Sequence, residues 1–139
     1  MSYQHGASPD PVGCEWMVDA FGCDAEALRS RETLDALVAQ VAHDLALTAV
    51  APAIWHQFPG PGGLTGVVVL AESHLTCHTF PERRFAAFNL YCCRPRAPWP
   101  SASELTRRLG AAEVRVVSHP RGTAGAEAAA ATAVVSTDR

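Results

Sequence analysis

The 139 residues carry a formal net charge of −3, with 48% hydrophobic and 18% charged side chains. That balance suits one folded domain over residues 1–139 and excludes a disordered chain or two independent cores. It gives no electrostatic reason to expect nucleic acid or an anionic membrane as a partner, and no apolar run approaches the roughly 20 residues of a membrane-spanning helix. Residues 1–12 are polar and rich in Gly and Pro, without the basic and apolar regions of a signal peptide, so a cytoplasmic location is expected. Five cysteines, with Cys92 and Cys93 adjacent, fit free thiols better than a secreted disulfide framework.

Along the chain, residues 14–20 read as a first strand. Asp24 is an N-cap for a long helix to about residue 47, whose Leu34, Leu37, Val38, Val41 and Leu45 recur at steps of three and four. Residues 49–58 read as a second strand, and Pro59-Gly60-Pro61-Gly62-Gly63 as a turn. Val67-Val68-Val69-Leu70 marks a buried strand over 64–71, followed by strands over 74–80 and 84–93. Ser101, with Glu104 three residues on, has the form of a capping box opening a helix to about Gly110. Val114-Arg115-Val116-Val117 is a last strand, and the Ala-, Gly- and Thr-rich stretch beyond Arg121 reads as a frayed tail. The order predicts an α+β two-layer sandwich: a mostly antiparallel sheet with two helices on one face. The other face then needs a cover, for which a second copy of the chain is the simplest candidate.

The chemistry concentrates between Glu72 and Cys93, where a Ser, two His, two carboxylates and three Cys follow a buried strand. Taken singly, each is an ordinary strand residue. A zinc site from His74, His78, Cys92 and Cys93 is poorly served by a strand, on which adjacent cysteines point to opposite faces, so no metal is assigned. A hydrolase pairing Ser73 or Cys93 with His78 lacks the Gly-x-Ser-x-Gly elbow.

Glu72-Ser73-His74-Leu75-Thr76-x-His78-Thr79-x-Pro81-Glu82, then Ala86-Ala87 and Cys93, resembles the signature of the bacterial and archaeal S-adenosylmethionine decarboxylase proenzymes. Phe21-x-Cys23-Asp24, Thr65-Gly66-Val67-Val68-Val69 and the stretch from Val114 to Gly122 extend the resemblance over most of the chain. It implies a pyruvoyl-dependent carboxy-lyase that cuts itself between Glu72 and Ser73 into residues 1–72 and 73–139. Ser73 would become the pyruvoyl group, which forms a Schiff base with the substrate amine and draws electrons as carbon dioxide leaves. By the same resemblance, Glu72 supplies the cleaved carbonyl, His78 assists processing, Thr65 supports it, and Cys93 returns the proton. Phe58 and Phe80, the latter in place of a common Trp, would line an adenosyl pocket, and Glu82 would hold the ribose hydroxyls. Glu15, Asn89 and Arg83-Arg84 depart from the family's usual His, Asp and Tyr-Gly. The expected substrate is S-adenosylmethionine, giving the aminopropyl donor for spermidine. Arginine or ornithine with the same cofactor, and a non-catalytic regulatory paralogue, are the alternatives. A homodimer of processed protomers is the expected assembly.

Overall fold

A computed structural model of the chain describes residues 11–94, 96–123 and 131–136. Strand β1 (Gly13–Phe21) is followed by helices α1 (Ala25–Arg29) and α2 (Arg31–Asp44), then strands β2 (Ile54–Gln57), β3 (Leu64–Leu70), β4 (Ser73–Phe80) and β5 (Phe85–Cys92). Helix α3 (Ser101–Leu109) and strands β6 (Glu113–Arg121) and β7 (Ala131–Ser136) complete it. The seven strands form one antiparallel sheet in the order β2-β3-β4-β5-β1-β6-β7. The expected α+β class is therefore borne out, with three helices, two of them substantial.

The layers follow from alternation. In β1 the even residues Trp16, Val18 and Ala20 are buried, while Glu15, Met17 and Asp19 lie on the other face. The buried row joins Leu28 of α1, Leu34, Leu37, Val38 and Val41 of α2, and Leu105 and Leu109 of α3. Each such side chain contributes about 1.5–3 kcal/mol by leaving water. The buried Thr79 hydroxyl donates to Leu28 O (2.8 Å) and accepts from Leu64 N (2.9 Å), tying α1 to β3 and β4. The opposite face stays open, with Met17, Val67, Val69 and Phe80 exposed on it.

Five local expectations need correction. The long helix is two, because Ser30 caps both: its N–H donates to Ala27 O, while its hydroxyl accepts from Thr33 N at 3.1 Å. Asp24 does cap α1, through Glu26 N at 3.0 Å. The second strand shrinks to Ile54–Gln57, since Pro52 lacks the N–H a ladder needs; Ala49 keeps only an isolated bridge to Leu70. The capping box does not form. Pro100 occupies the cap, and Glu104 turns instead to Arg107 and Arg108, at 2.7 and 2.9 Å. Strand β6 runs over nine residues, ending with Pro120 and Arg121 beyond the reach of β7. The frayed tail contains β7, which pairs with Glu113 through Ser118 and is exposed throughout; residues 124–130 and 137–139 of that expectation lie outside the described residues.

Candidate active site

Ala71 and Glu72 form the two-residue turn between β3 and β4, so Ser73 opens β4 opposite Leu70 and Cys92. Cys93, the first residue past β5, donates its backbone N–H to Glu72 O at 2.8 Å. That bond fixes and polarises the carbonyl immediately before Ser73. The Ser73 hydroxyl oxygen is buried beside the Cys92 thiol and has no hydrogen-bond partner of ordinary geometry among the described residues. A buried hydroxyl in that state costs stability, and calls for an explanation in chemistry rather than packing.

The two adjacent cysteines differ sharply. Cys92 lies buried on the helix-covered face, and burial pushes its thiol up to about 11, so it stays protonated and inert at neutral pH. Cys93 is exposed. The Glu72 carboxylate meets two guanidiniums: Arg94 hydrogen-bonds it, and Arg96 Nη2 stands 3.7 Å away. The Arg94 hydrogen bond, with the charges of both arginines, holds its carboxyl below the usual carboxylate range. Neither arginine was picked out from the sequence.

A second group of expected residues gathers elsewhere. Thr65 and His78, opposed across β3 and β4 on the open face, share a hydrogen bond of 3.1 Å between Oγ1 and Nδ1. They line an open cleft of about 320 Å³ with Phe58, Phe80 and Glu82. Phe58 meets His56 edge-on at 4.8 Å, and Phe80 stacks on Phe85 at 5.7 Å, so this end of the sheet is aromatic. His78 lies five residues beyond Ser73 on one strand, about 17 Å at strand rise, and on the opposite face. The chain thus assembles Glu72, Ser73 and Cys93 at one end, and Phe58, Thr65, His78, Phe80 and Glu82 at the other. It does not bring the two groups together. The same geometry parts the zinc candidates: His74 and His78 stand about 13 Å apart, with Cys92 on the other face.

Two of the unusual positions, Glu15 and Asn89, contact each other. Asn89 Nδ2 donates to Glu15 Oε1 at 2.9 Å, and Arg121 Nη1 reaches Glu15 Oε2 at 2.6 Å. The Asn89 hydrogen bond, ahead of the Arg121 hydrogen bond and charge, lowers the Glu15 carboxyl from its ordinary range. An Asp at 89 would set a second carboxylate against the first. Asn89→Asp is expected to lose about 1 kcal/mol at pH 7 by urea unfolding. The loss should shrink as pH falls and one carboxyl protonates, and Glu15→Gln alongside should recover most of it. An undiminished loss at pH 4 would point to packing instead of charge. Arg84 has φ +52°, the left-handed conformation that a Gly there adopts without strain.

Fold and site together define a small α+β chain with an orphaned strand-end hydroxyl beside the carbonyl of its own preceding residue. Residues 14–122 match the family described as S-adenosylmethionine decarboxylase. Proteins named S-adenosylmethionine decarboxylase proenzyme are similar to it: that of Thermotoga maritima is 37% identical, covering 80% of this chain and 85% of its own. Those of Caldicellulosiruptor saccharolyticus and Clostridium kluyveri are 35% and 32% identical, each over 80% of this chain and 89% and 87% of their own. The chain belongs to the S-adenosylmethionine decarboxylase family, and the resemblance drawn from its sequence is borne out.

Proposed function

We propose that the chain is a proenzyme that breaks its own Glu72–Ser73 bond and then decarboxylates S-adenosylmethionine, in a dimer whose two copies share each site. The observation that carries the reading is the buried, unpartnered Ser73 hydroxyl next to a Glu72 carbonyl held by the Cys93 N–H. Attack of Oγ on that carbonyl carbon moves the acyl group from nitrogen to oxygen, and the Cys93 N–H steadies the oxygen as charge develops on it. A base then takes the Ser73 α-proton, the ester C–O bond breaks to release residues 1–72 with a Glu72 carboxylate, and water converts the remaining dehydroalanine to a pyruvoyl end with loss of ammonia. The surroundings of Ser73 suit that group, which when present supplies an electron sink for carboxylate loss.

His78, oriented by Thr65, is the base this reading needs, but it lies about 17 Å from Ser73 in its own chain. Two copies packed open face to open face, with their β4 strands antiparallel, would set the partner's His78 and its cleft against the Ser73 end of β4, on the side of the strand away from the Ser73 hydroxyl. Exposed Met17, Val67 and Val69 supply apolar area for that contact. The cleft suits an adenosyl substrate: Phe58 and Phe80 offer flat rings for a base, and Glu82 offers a carboxylate for ribose hydroxyls.

Complementation tests the shared site. Ser73→Ala and His78→Ala chains should each stay uncleaved alone, whereas co-expression should yield cleaved His78→Ala chains in mixed dimers. Mass spectrometry reads which chain is cut, and carbon dioxide release should favour S-adenosylmethionine over arginine and ornithine. Rapid cleavage of His78→Ala alone would remove the shared-base reading. Preferential release from arginine or ornithine would move the substrate to the rival class.

A further inference from the structure

Glu72 is gripped at both ends by one short stretch of chain. Its carbonyl accepts from Cys93 N at 2.8 Å, while its carboxylate meets the Arg94 and Arg96 guanidiniums one and three residues later. The stretch is itself braced against the body of the protein. Arg96 Nη1 donates to Leu45 O at 3.0 Å, at the negative end of α2, and Trp99 Nε1 donates to Asp44 Oδ2 at 2.9 Å. The Cys14 thiol contacts Arg94 O at 3.6 Å. Two cations thus converge on the turn residue whose carbonyl belongs to the bond to be cut.

We infer that Arg94 and Arg96 are positioning residues for self-cleavage, clamping the Glu72 side chain so that its carbonyl stays seated between the Cys93 N–H and the Ser73 hydroxyl. Rotation of the Glu72 peptide would carry its carbonyl carbon away from Oγ, and the Cys93 N–H holds that carbonyl at one point only. The side-chain grip and the main-chain bond together stop that rotation. Once the ester breaks, Glu72 carries a second carboxylate beside the same two guanidiniums. The clamp then also keeps the new end of residues 1–72 docked.

The inference rests on the cleavage site proposed above, and the test separates the two. Full-length chain is made by cell-free synthesis, and cleavage is followed by intact mass over time. Arg94 is largely exposed, so its removal leaves the fold standing; Arg94→Ala should slow cleavage about 1.5- to fivefold, the range an exposed ion pair supports. Arg94→Ala with Arg96→Ala should slow it further, and Arg94→Lys should recover most of the single loss. Where Glu72 is already Ala, removing Arg94 should change nothing more. Wild-type speed in the double arginine variant overturns the clamp, as does an Arg94→Ala effect that persists without the Glu72 carboxylate. A wild-type chain that stays whole overturns the cleavage reading and the clamp with it.

Discussion

Ser73→Ala should leave one uncleaved chain of 139 residues, fully folded and without decarboxylase activity. The nucleophile is gone, and Cys92, the other group beside the Glu72–Ser73 bond on the covered face, is held protonated by burial and does not replace it. The fold should not suffer, because the Ser73 hydroxyl satisfies no partner and its removal takes away a buried polar atom. Deleting such a group is neutral or mildly stabilising, so the urea midpoint should match or exceed that of a cleaved wild-type chain. A processing defect with intact stability is the signature of lost chemistry. Intact mass reads the first part and urea unfolding the second. Two fragments split between residues 72 and 73 in this variant would remove Ser73 from the reaction.

What the sequence made legible follows from where its periodicities are strong. The core strands and the α2 stripe stood out because burial on one face writes alternation, or a three-to-four spacing, into the residues. Ser30 did not stand out, since a serine inside a helical pattern looks the same whether it is tolerated or caps two helices. Strand β7 was invisible for the opposite reason: every residue in it is exposed, so nothing about Ala131–Ser136 had to be apolar. The site divides in the same way. A two-residue turn at Ala71 and Glu72 sets Leu70 against Ser73 and therefore Thr65 against His78, so that pair was implicit in the hairpin register. That Ser73 and His78 lie at different ends of one strand was implicit too, but a motif written as a line of residues hides the distance. Arg94 and Arg96 sit in an irregular, proline-rich stretch with no period, where a guanidinium's contacts follow from the packing around it.

Cys93→Ala and Cys92→Ala should part turnover from packing. Alanine keeps the backbone N–H at position 93, so the bond to Glu72 O survives and Cys93→Ala should still cut itself. If the exposed Cys93 thiol is the acid that returns a proton to the carbon that has lost carbon dioxide, turnover should fall by about 10²-fold or more. Stability should barely move, because an exposed side chain contributes little to the core. Cys92→Ala should behave the other way round. Its thiol fills space in the covered layer with Trp16, Leu75 and Leu90, so the variant should lose on the order of 1–2 kcal/mol. That thiol is buried within the covered layer, out of a substrate's reach, so turnover should stay within a few-fold of wild type. Single-turnover carbon dioxide release on fully cleaved enzyme, set beside urea midpoints, measures both axes. Cys92→Ala that abolishes turnover while Cys93→Ala spares it would shift the acid by one residue and onto the other face of the sheet. The burial of Cys92 argues against that outcome, since an acid must reach the substrate it protonates.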